Sequence, residues 1–381
     1  MDRVDVAIVG AGPVGAALAA LLAPGGRSVR VVEAREAPSS DARTLALSQA
    51  SRECLERAGG WPAAGATPIA DIHVSQKGGP GRTLITAADQ GLEALGYTVS
   101  YALLEETLGR RLGELGAPVS WGAPCEAIEL GTEAATLRLA GGGAVEARLL
   151  VLADGGANAR RIPGLAYAEK DYGQVAVTGP VHADRPHRGR AYERFTPKGP
   201  VALLPVGERY SLVWTATPAE ADRLLALDDA AFLAELQAHF GDRAGRFVAA
   251  GRRAAFPLKL RTINSTIALR TVISGNAAQA MHPIAGQGLN IGLRDAAALA
   301  AILDADPAGD PGCAAALEAY RGARRRDAGR GVAFTDFLVG AFMDDRRLPT
   351  WGRGAALTLL DLVPPARRWL AGRMIHGAPS Q

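Results

Sequence analysis

A chain that opens VDVAIVGAGPVGAALAALL has little freedom in how it begins to fold. Its first residues alternate and then run apolar up to Val9, as in a strand buried on both faces. Gly10-x-Gly12-x-x-Gly15 follows at once and leads into an alanine- and leucine-rich stretch of high helix propensity. The three glycines serve different ends. Gly10 permits the tight turn, Gly12 lets backbone approach a pyrophosphate, and Gly15 lets helix pack close to strand. The helix then starts with its amides pointing at the phosphates. SVRVVE reads as a second strand ending on Glu33, eighteen residues after Gly15, near the spacing at which a carboxylate meets an adenosine ribose. The glycines alone are a weak signal. Strand, glycines, helix, strand and terminal acid together define a dinucleotide site, and the acid suits a free 2′-hydroxyl, as in FAD or NAD rather than NADP.

The rest of the composition bounds the answer. At 381 residues and 48% hydrophobic, two domains are expected, or one large domain with an insertion. A formal charge of +3 gives no reason to expect a nucleic-acid partner. Cys54, Cys125 and Cys313 are widely spaced and odd in number, which reads as reduced thiols of a cytoplasmic protein without a disulfide framework or dithiol centre. No metal-ligand cluster is evident, so no metal is expected. The uncharged stretch Val6–Gly26 is broken by Gly10, Gly12, Pro13, Gly15 and Pro24, so neither a secretory signal nor a membrane helix is expected there.

After Glu33, AREAPSSDARTLALSQAS predicts a loop entering a helix near Leu45; Arg43 reads either as a pyrophosphate contact or as one more solvated arginine. There is no second glycine fingerprint, and GGGAVEARL at 141–149 reads as a hairpin turn. Two later segments resemble strand ends that rejoin the first sheet. One is Leu149–Ala153 followed by Asp154-Gly155; the other is Ile267–Ser274 followed by Gly275-Asn276.

These three motifs in this order, with HPIAGQGLNIGLRD after the third, resemble the FAD-dependent aromatic hydroxylases, the family that includes para-hydroxybenzoate hydroxylase. The resemblance runs from Val4 to about Asp336. YERFTPKGPVALLP at 192–205 is similar to the hallmark of the ubiquinone-biosynthesis hydroxylases within that family, and GNAAQ resembles its 2-polyprenyl-6-methoxyphenol hydroxylase branch. There are departures: Asn276 and Gln279 stand in place of an aspartate and a histidine, and Ala157 and Asn158 depart from the usual Asp-Gly-Ala-Asn-Ser, so only Asp154 is carried over from that motif. Asn276 can still hydrogen-bond a ribityl hydroxyl, without the charge.

Read physically, the strand ends at Ser274, an irregular turn follows, and Leu289 begins a helix. Pro283 fixes the backbone, Gly286 and Gly288 allow close approach to a flat ring, and the amides near Leu289 and Asn290 favour negative charge. This stretch is expected to hold an isoalloxazine ring. The resemblance implies the same, with Pro283 near the ring face. His282 reads either as a proton donor or substrate contact, or as a loop histidine bonded to backbone, and no catalytic role is assigned to it.

The expected fold is α/β: a Rossmann-like FAD-binding domain (1–70, 100–166 and 263–340), an interleaved antiparallel-sheet substrate domain (71–99 and 167–262), and a helical tail (341–381). Tyr192, Phe195, Tyr210, Trp214 and Phe256 are candidate substrate contacts, although strand aromatics are core at least as often. EADRLLALDDAAFLAELQAHFGD is expected to be structural cover. LEAYRGARRRDAGRGVAFTDFLVGAF predicts a long helix with a basic patch at Arg321, Arg324, Arg325 and Arg326. The tail from Arg346 has six arginines against the single Asp361, interleaved with apolar runs, and two readings stand: a helix on an anionic membrane surface, or a structural or oligomer contact.

The resemblance implies an FAD monooxygenase that hydroxylates a polyprenylated phenol in ubiquinone biosynthesis: NAD(P)H reduces the flavin, dioxygen forms a C4a-hydroperoxide, and the ring attacks its distal oxygen. It also suggests a place in a quinone-biosynthesis complex at the inner face of the membrane. The alternatives are hydroxylation of another aromatic, or a flavin-binding scaffold subunit without turnover, the latter motivated by Ala157, Asn158, Asn276 and Gln279.

Overall fold

The computed structural model describes residues 2–325 apart from 40, 42, 79, 80, 118, 197 and 282–286. Beyond these it describes 327, 329, 354, 358, 359, 361–363, 365, 367, 368, 371 and 372. The first elements are β1 (Asp2–Val9), α1 (Pro13–Leu22), β2 (Val29–Val32), β3 (Thr44–Ser48), α2 (Gln49–Arg57), β4 (Thr67–Ile69), β5 (Asp71–Gln76) and β6 (Arg82–Thr86). Next come β7 (Gly96–Ser100), α3 (Tyr101–Glu114), β8 (Val119–Ser120), β9 (Cys125–Leu130), β10 (Ala135–Leu139), β11 (Ala144–Leu152), β12 (Tyr167–Ala183), β13 (Arg190–Phe195), β14 (Val201–Val206) and β15 (Arg209–Ala216). The last are α4 (Pro218–Ala226), α5 (Asp229–Phe240), β16 (Phe247–Ala250), β17 (Ala254–Ile263), β18 (Ile267–Ala268), β19 (Thr271–Ile273), β20 (Gln279–Ala280) and α6 (Gln287–Asp304).

The first sheet runs β18-β19-β11-β1-β2-β8, and all its pairs from β19 to β8 are parallel. Its strands are apolar on both faces because both are covered. Val6, Ile8, Val31, Leu149 and Val151 pack under α1, α3 and α6, while Ala7, Val9, Val32, Leu150 and Leu152 face the β9–β10 hairpin and Ile162. The β10–β11 turn falls at Gly141 and Gly142, as GGGAVEARL predicts.

The second sheet runs β20-β17-β12-β15-β14-β13-β5-β6, with β16 on β12. One face buries Val177, Leu203, Leu212 and Trp214 against Leu224, Phe232, Leu236 and Phe240 of α4 and α5, so the predicted helical stretch is cover, split in two where Asp228 caps α5. A small third sheet, β3-β7-β4, lies between them, and Thr98 in β7 donates to the carbonyl of Pro205 in β14.

Three local expectations are corrected. Leu45 lies in strand β3, pinned to β7 some fifty residues on, and the helix starts only after Ser48, whose hydroxyl accepts from the Ser51 amide. Ile267–Ser274 is a tight hairpin of β18 and β19, turned at Arg270 with φ +52°, and only Thr271–Ile273 joins the parallel sheet. Helix α6 begins at Gln287, two residues before the expected Leu289.

Candidate cofactor and substrate site

Val9, Leu152 and Ile273 are neighbours in register, so the three sequence motifs leave the parallel sheet side by side at its carboxyl edge. This edge, where β1 is flanked by β2 and β11, is where open α/β sheets bind ligands. Gly10 has φ +106°, and a Cβ there would lie 2.6 Å from the carbonyl oxygen of Ala153. The first motif therefore rests directly on the second. A Cβ at Gly15 would lie 2.1 Å from the Gly10 carbonyl, which is the close helix–strand contact its place in the fingerprint requires.

Gly12 is different. It is the N-cap of α1 in extended conformation, with no side-chain cap and no acid in the first turn, and a Cβ on it would meet only the Tyr101 hydroxyl, at 3.4 Å. The helix thus presents uncapped amides to open space, the arrangement an anion needs. Beside it, Glu33 accepts from the Ala11 amide (2.8 Å), the Arg35 amide (3.0 Å) and the Arg35 guanidinium (3.1 Å). Burial opposes its ionisation, but these bonds outweigh it and hold the carboxyl below its usual range. With three of about four acceptor positions filled, room for one hydroxyl remains. Arg35 is fixed in turn by Glu105 at 2.7 Å. Open cradle, helix terminus and charged acceptor fit the adenosine diphosphate half of FAD.

Arg43 is paired with Asp41 (2.6 Å) and stacks over Tyr101 and Phe256, at 5.7 and 5.2 Å from the ring centroids, which puts it on the rim of the same space. Asp154 turns onto its own loop, accepting from the Gly156 amide (2.9 Å) and from the amide and side chain of Asn158 (2.9 and 2.7 Å). Asn158, a departure from the family pattern, is therefore the partner that shapes this turn. Asn276 is exposed, and its Oδ1 lies 3.8 Å from where a Cβ on Gly288 would stand, so the two border one opening. Arg261 and Tyr167 were not anticipated. Arg261 donates to the Gly155 carbonyl and to that of Asn276 (3.1 Å), and Tyr167 donates to Ala277 (2.6 Å), so they clamp the second motif to the third.

Asn290 is buried and accepts from the Ser48 amide (2.8 Å) and the Ser51 hydroxyl (2.6 Å), while its amide donates to Ala46 (3.0 Å). Its side chain is a cross-tie that fixes the start of α6, and Leu289 beside it is partly buried. Asp295, one turn on, accepts from the Gly275 amide (3.2 Å), from Gln279 (3.3 Å) and from Arg324 (2.7 Å). Gln279, the second departure, thus also has a built-in partner. His282, Pro283 and Gly286 lie outside the described residues. The expected basic patch is corrected: Arg324 is buried between Asp295 and Asp327, Arg321 pairs with Glu318, Arg325 is exposed, and Arg326 lies outside the described residues.

The substrate candidates divide by strand alternation. Tyr192, Tyr210 and Trp214 point into the closed core under α4 and α5, where the Tyr192 ring meets Phe240 at 5.6 Å, so they are corrected to core residues. Phe195 and Phe256 stand on the other face, toward the motifs. That face is half-open, and beside it Ile72, Ile85, Leu47, Leu95, Gln287 and Asn290 line an apolar cavity of about 70 Å³.

The family described as an FAD binding domain matches residues 3–335, and the chain belongs to it. Within it the chain is a member of the ubiquinone hydroxylases. It is 37% identical to the ubiquinone hydroxylase UbiL of Rhodospirillum rubrum, over 96% of this chain and 88% of that protein. It is 33% identical to the 3-demethoxyubiquinol 3-hydroxylase of Escherichia coli, over 78% of this chain and 79% of that protein. In fold it is similar to p-nitrophenol 4-monooxygenase of Pseudomonas putida, with a TM-score of 0.81, 18% identity and 100% of each chain covered.

Proposed function

We propose that the chain is an FAD-dependent monooxygenase that hydroxylates the aromatic ring of a polyprenylated phenol in ubiquinone biosynthesis, with NAD(P)H as transient reductant and dioxygen as oxidant. The observation that carries this reading is the near full-length match to a ubiquinone hydroxylase at 37% identity. Bound FAD supplies the redox chemistry. The protein's part is binding and exclusion of water: Gly10, Gly12 and Gly15 shape the cradle that would take the phosphates, Glu33 would accept from a ribose hydroxyl, and Arg43 on the rim would pair with the pyrophosphate. Asp154, Asn276 and Gly288, with the backbone of Leu289 and Asn290 at the start of α6, would border the ring. Residues 1–70, 100–166 and 263–340 make the cofactor domain, with 71–99 and 167–262 as the roof over the phenol.

The tail supports a peripheral membrane role. No helix among the described residues is long and apolar enough to cross a membrane. Asp361 accepts from the Leu84 amide (3.0 Å) and Arg367 pairs with Asp89 (3.1 Å), which ties the tail to edge strand β6 and its turn. Leu359 and Leu362 remain 62% and 73% exposed, and Arg368 further along the tail is exposed as well. Exposed leucines on an arginine-rich tail suit an anionic bilayer or a neighbour in a quinone-biosynthesis complex, where a prenylated phenol resides.

The test is an absorbance spectrum of the purified protein, then reduction and re-oxidation with a polyprenyl methoxyphenol present. A flavin spectrum and a product heavier by one oxygen are expected. A folded, FAD-supplemented sample that holds no flavin overturns the reading.

A further inference from the structure

The half-open face of the second sheet carries mostly apolar and neutral polar side chains, Gln76, Thr178, Ser211 and Thr215 among them, with one acid in their midst. Register places Glu193 in the row Val74–Glu193–Ala202–Val213–Thr178, and it is the only ionisable member. Its neighbour two residues back, Ala191, pairs with Ile72, a lining residue of the cavity beside α6, so Glu193 stands roughly 7 Å along the strand from that wall. Among the described residues it has no hydrogen-bond or ion-pair partner, although protein surrounds its carboxyl and the residue is only partly exposed. The other carboxylates about the site are all engaged: Glu33 and Glu105 with Arg35, Asp154 with its own loop, and Asp295 with Arg324. A lone enclosed acid without a partner is costly to keep and stands ready for a ligand group. Desolvation alone pushes it up to about 7, where it can exchange a proton in the physiological range.

We propose that Glu193 is a catalytic residue that receives the proton of the substrate's ring hydroxyl. The inference rests on the phenol reading of the cleft. In the step, the phenol O–H bond breaks, an O–H bond forms on the Glu193 carboxylate, and the phenol becomes a phenolate. No electron is lost or gained by either partner. The negative charge raises electron density on the ring at the moment it must act as a nucleophile, and the proton returns to the hydroxyl when product forms. Other oxygen-bearing side chains of this face, Gln76, Thr178, Ser211 and Thr215, are amides or alcohols that do not remove a phenol proton at this pH, which leaves Glu193 as the acceptor.

The test uses the FAD-loaded protein and 2-methoxyphenol, which stays neutral across the range, with binding read from the flavin absorbance. Wild type should bind about tenfold more tightly at pH 8.5 than at pH 5.5, because an ionised acceptor makes the stronger bond. Glu193→Gln should retain flavin and lose that pH dependence. It should also lower kcat on the prenylated phenol by about 100-fold or more, with KM changed far less, and abolish the lower inflection of the rate profile near pH 7. A variant that keeps the wild-type pH response of binding, or that is slow but keeps the inflection, overturns the assignment, as does wild-type binding without pH dependence. Wild type that shows the binding response but hydroxylates no prenylated phenol refutes the substrate reading and leaves Glu193 as a phenol acceptor.

Discussion

The guanidinium of Arg324 donates to Oδ1 of Asp295 at 2.7 Å, while Oδ2 of the same carboxylate holds the Gly275 amide and the Gln279 side chain. A helix far along the chain thereby fixes the loop that begins the third motif. Arg324→Met leaves Asp295 enclosed and without its main partner, and the loss of one member of a buried pair costs about 3 to 5 kcal/mol. Urea denaturation should show that loss, and FAD content should fall with it. Adding Asp295→Leu should recover stability but not flavin retention, because the Gly275 loop stays unanchored.

Gly12 and Gly15 separate a ligand's space from a packing contact. Gly12 has ordinary extended dihedrals and open space above it, so Gly12→Val should stay folded, within about 1 kcal/mol of wild type, and purify without FAD. Gly15→Val drives a side chain into the Gly10 carbonyl and should unfold at much lower temperature whether or not FAD is added. A yellow, stoichiometric Gly12→Val protein would falsify the phosphate cradle.

Asn290 should be a stability residue first. Asn290→Ala strands the Ser48 amide and the Ser51 hydroxyl in a buried place and removes a partner from the half-buried Ala46 carbonyl. Unsatisfied groups of this kind give a loss of about 2 to 4 kcal/mol, measurable in the apoprotein. An unchanged apoprotein with weakened FAD binding would instead make its side chain a ligand contact.

What could be read in advance follows the range of the forces involved. The strand–glycine–helix opening was legible because Gly10, Gly12 and Gly15 act on their immediate neighbours. Arg261 was not, because its partners Gly155 and Asn276 are brought to it only by the pairing of β12, β17 and β20. Alternation along β15 shows that Tyr210 and Trp214 share a face, but which face meets the cleft is decided by where α4 and α5 pack. Arg270 in a left-handed conformation broke the expected single strand, and no glycine marked the turn. Asp295 was the missed clue: an acid within GLRDAAALAAIL requires a buried partner, and Arg324 supplies it.

Glu193 also gives the fold a pH dependence. Its folded value, about 7, lies above the ordinary carboxyl value of 4.5, so the folded state binds the proton more tightly than the unfolded chain. Its stabilising contribution is therefore present below about pH 4.5 and lost as pH rises to 7. The loss is about 2 kcal/mol after allowing for the solvent that still reaches it. Subtracting the unfolding free energies of Glu193→Gln from wild type at pH 5 and pH 8 isolates this contribution. A difference that does not change with pH would mean the carboxyl is solvated like any surface acid.

The tail should behave as two separable parts. Asp361 and Arg367 join it to β6 and the following turn, and Ala371 is buried with Ile85 and Leu95, so deleting residues 350–381 uncovers apolar surface and should lower stability. Leu359 and Leu362 touch solvent rather than the fold, so Leu359→Ser with Leu362→Ser should leave the unfolding free energy within about 0.5 kcal/mol. On vesicles containing anionic lipid, removing two exposed leucines from the bound face should weaken association at least about tenfold, since each buried aliphatic side chain contributes about 1.5 to 3 kcal/mol. Raising salt should weaken wild type further, because the tail is rich in arginine. Equal vesicle binding by the double variant would assign the exposed leucines to a protein neighbour, and crosslinking at position 362 would then report that contact directly.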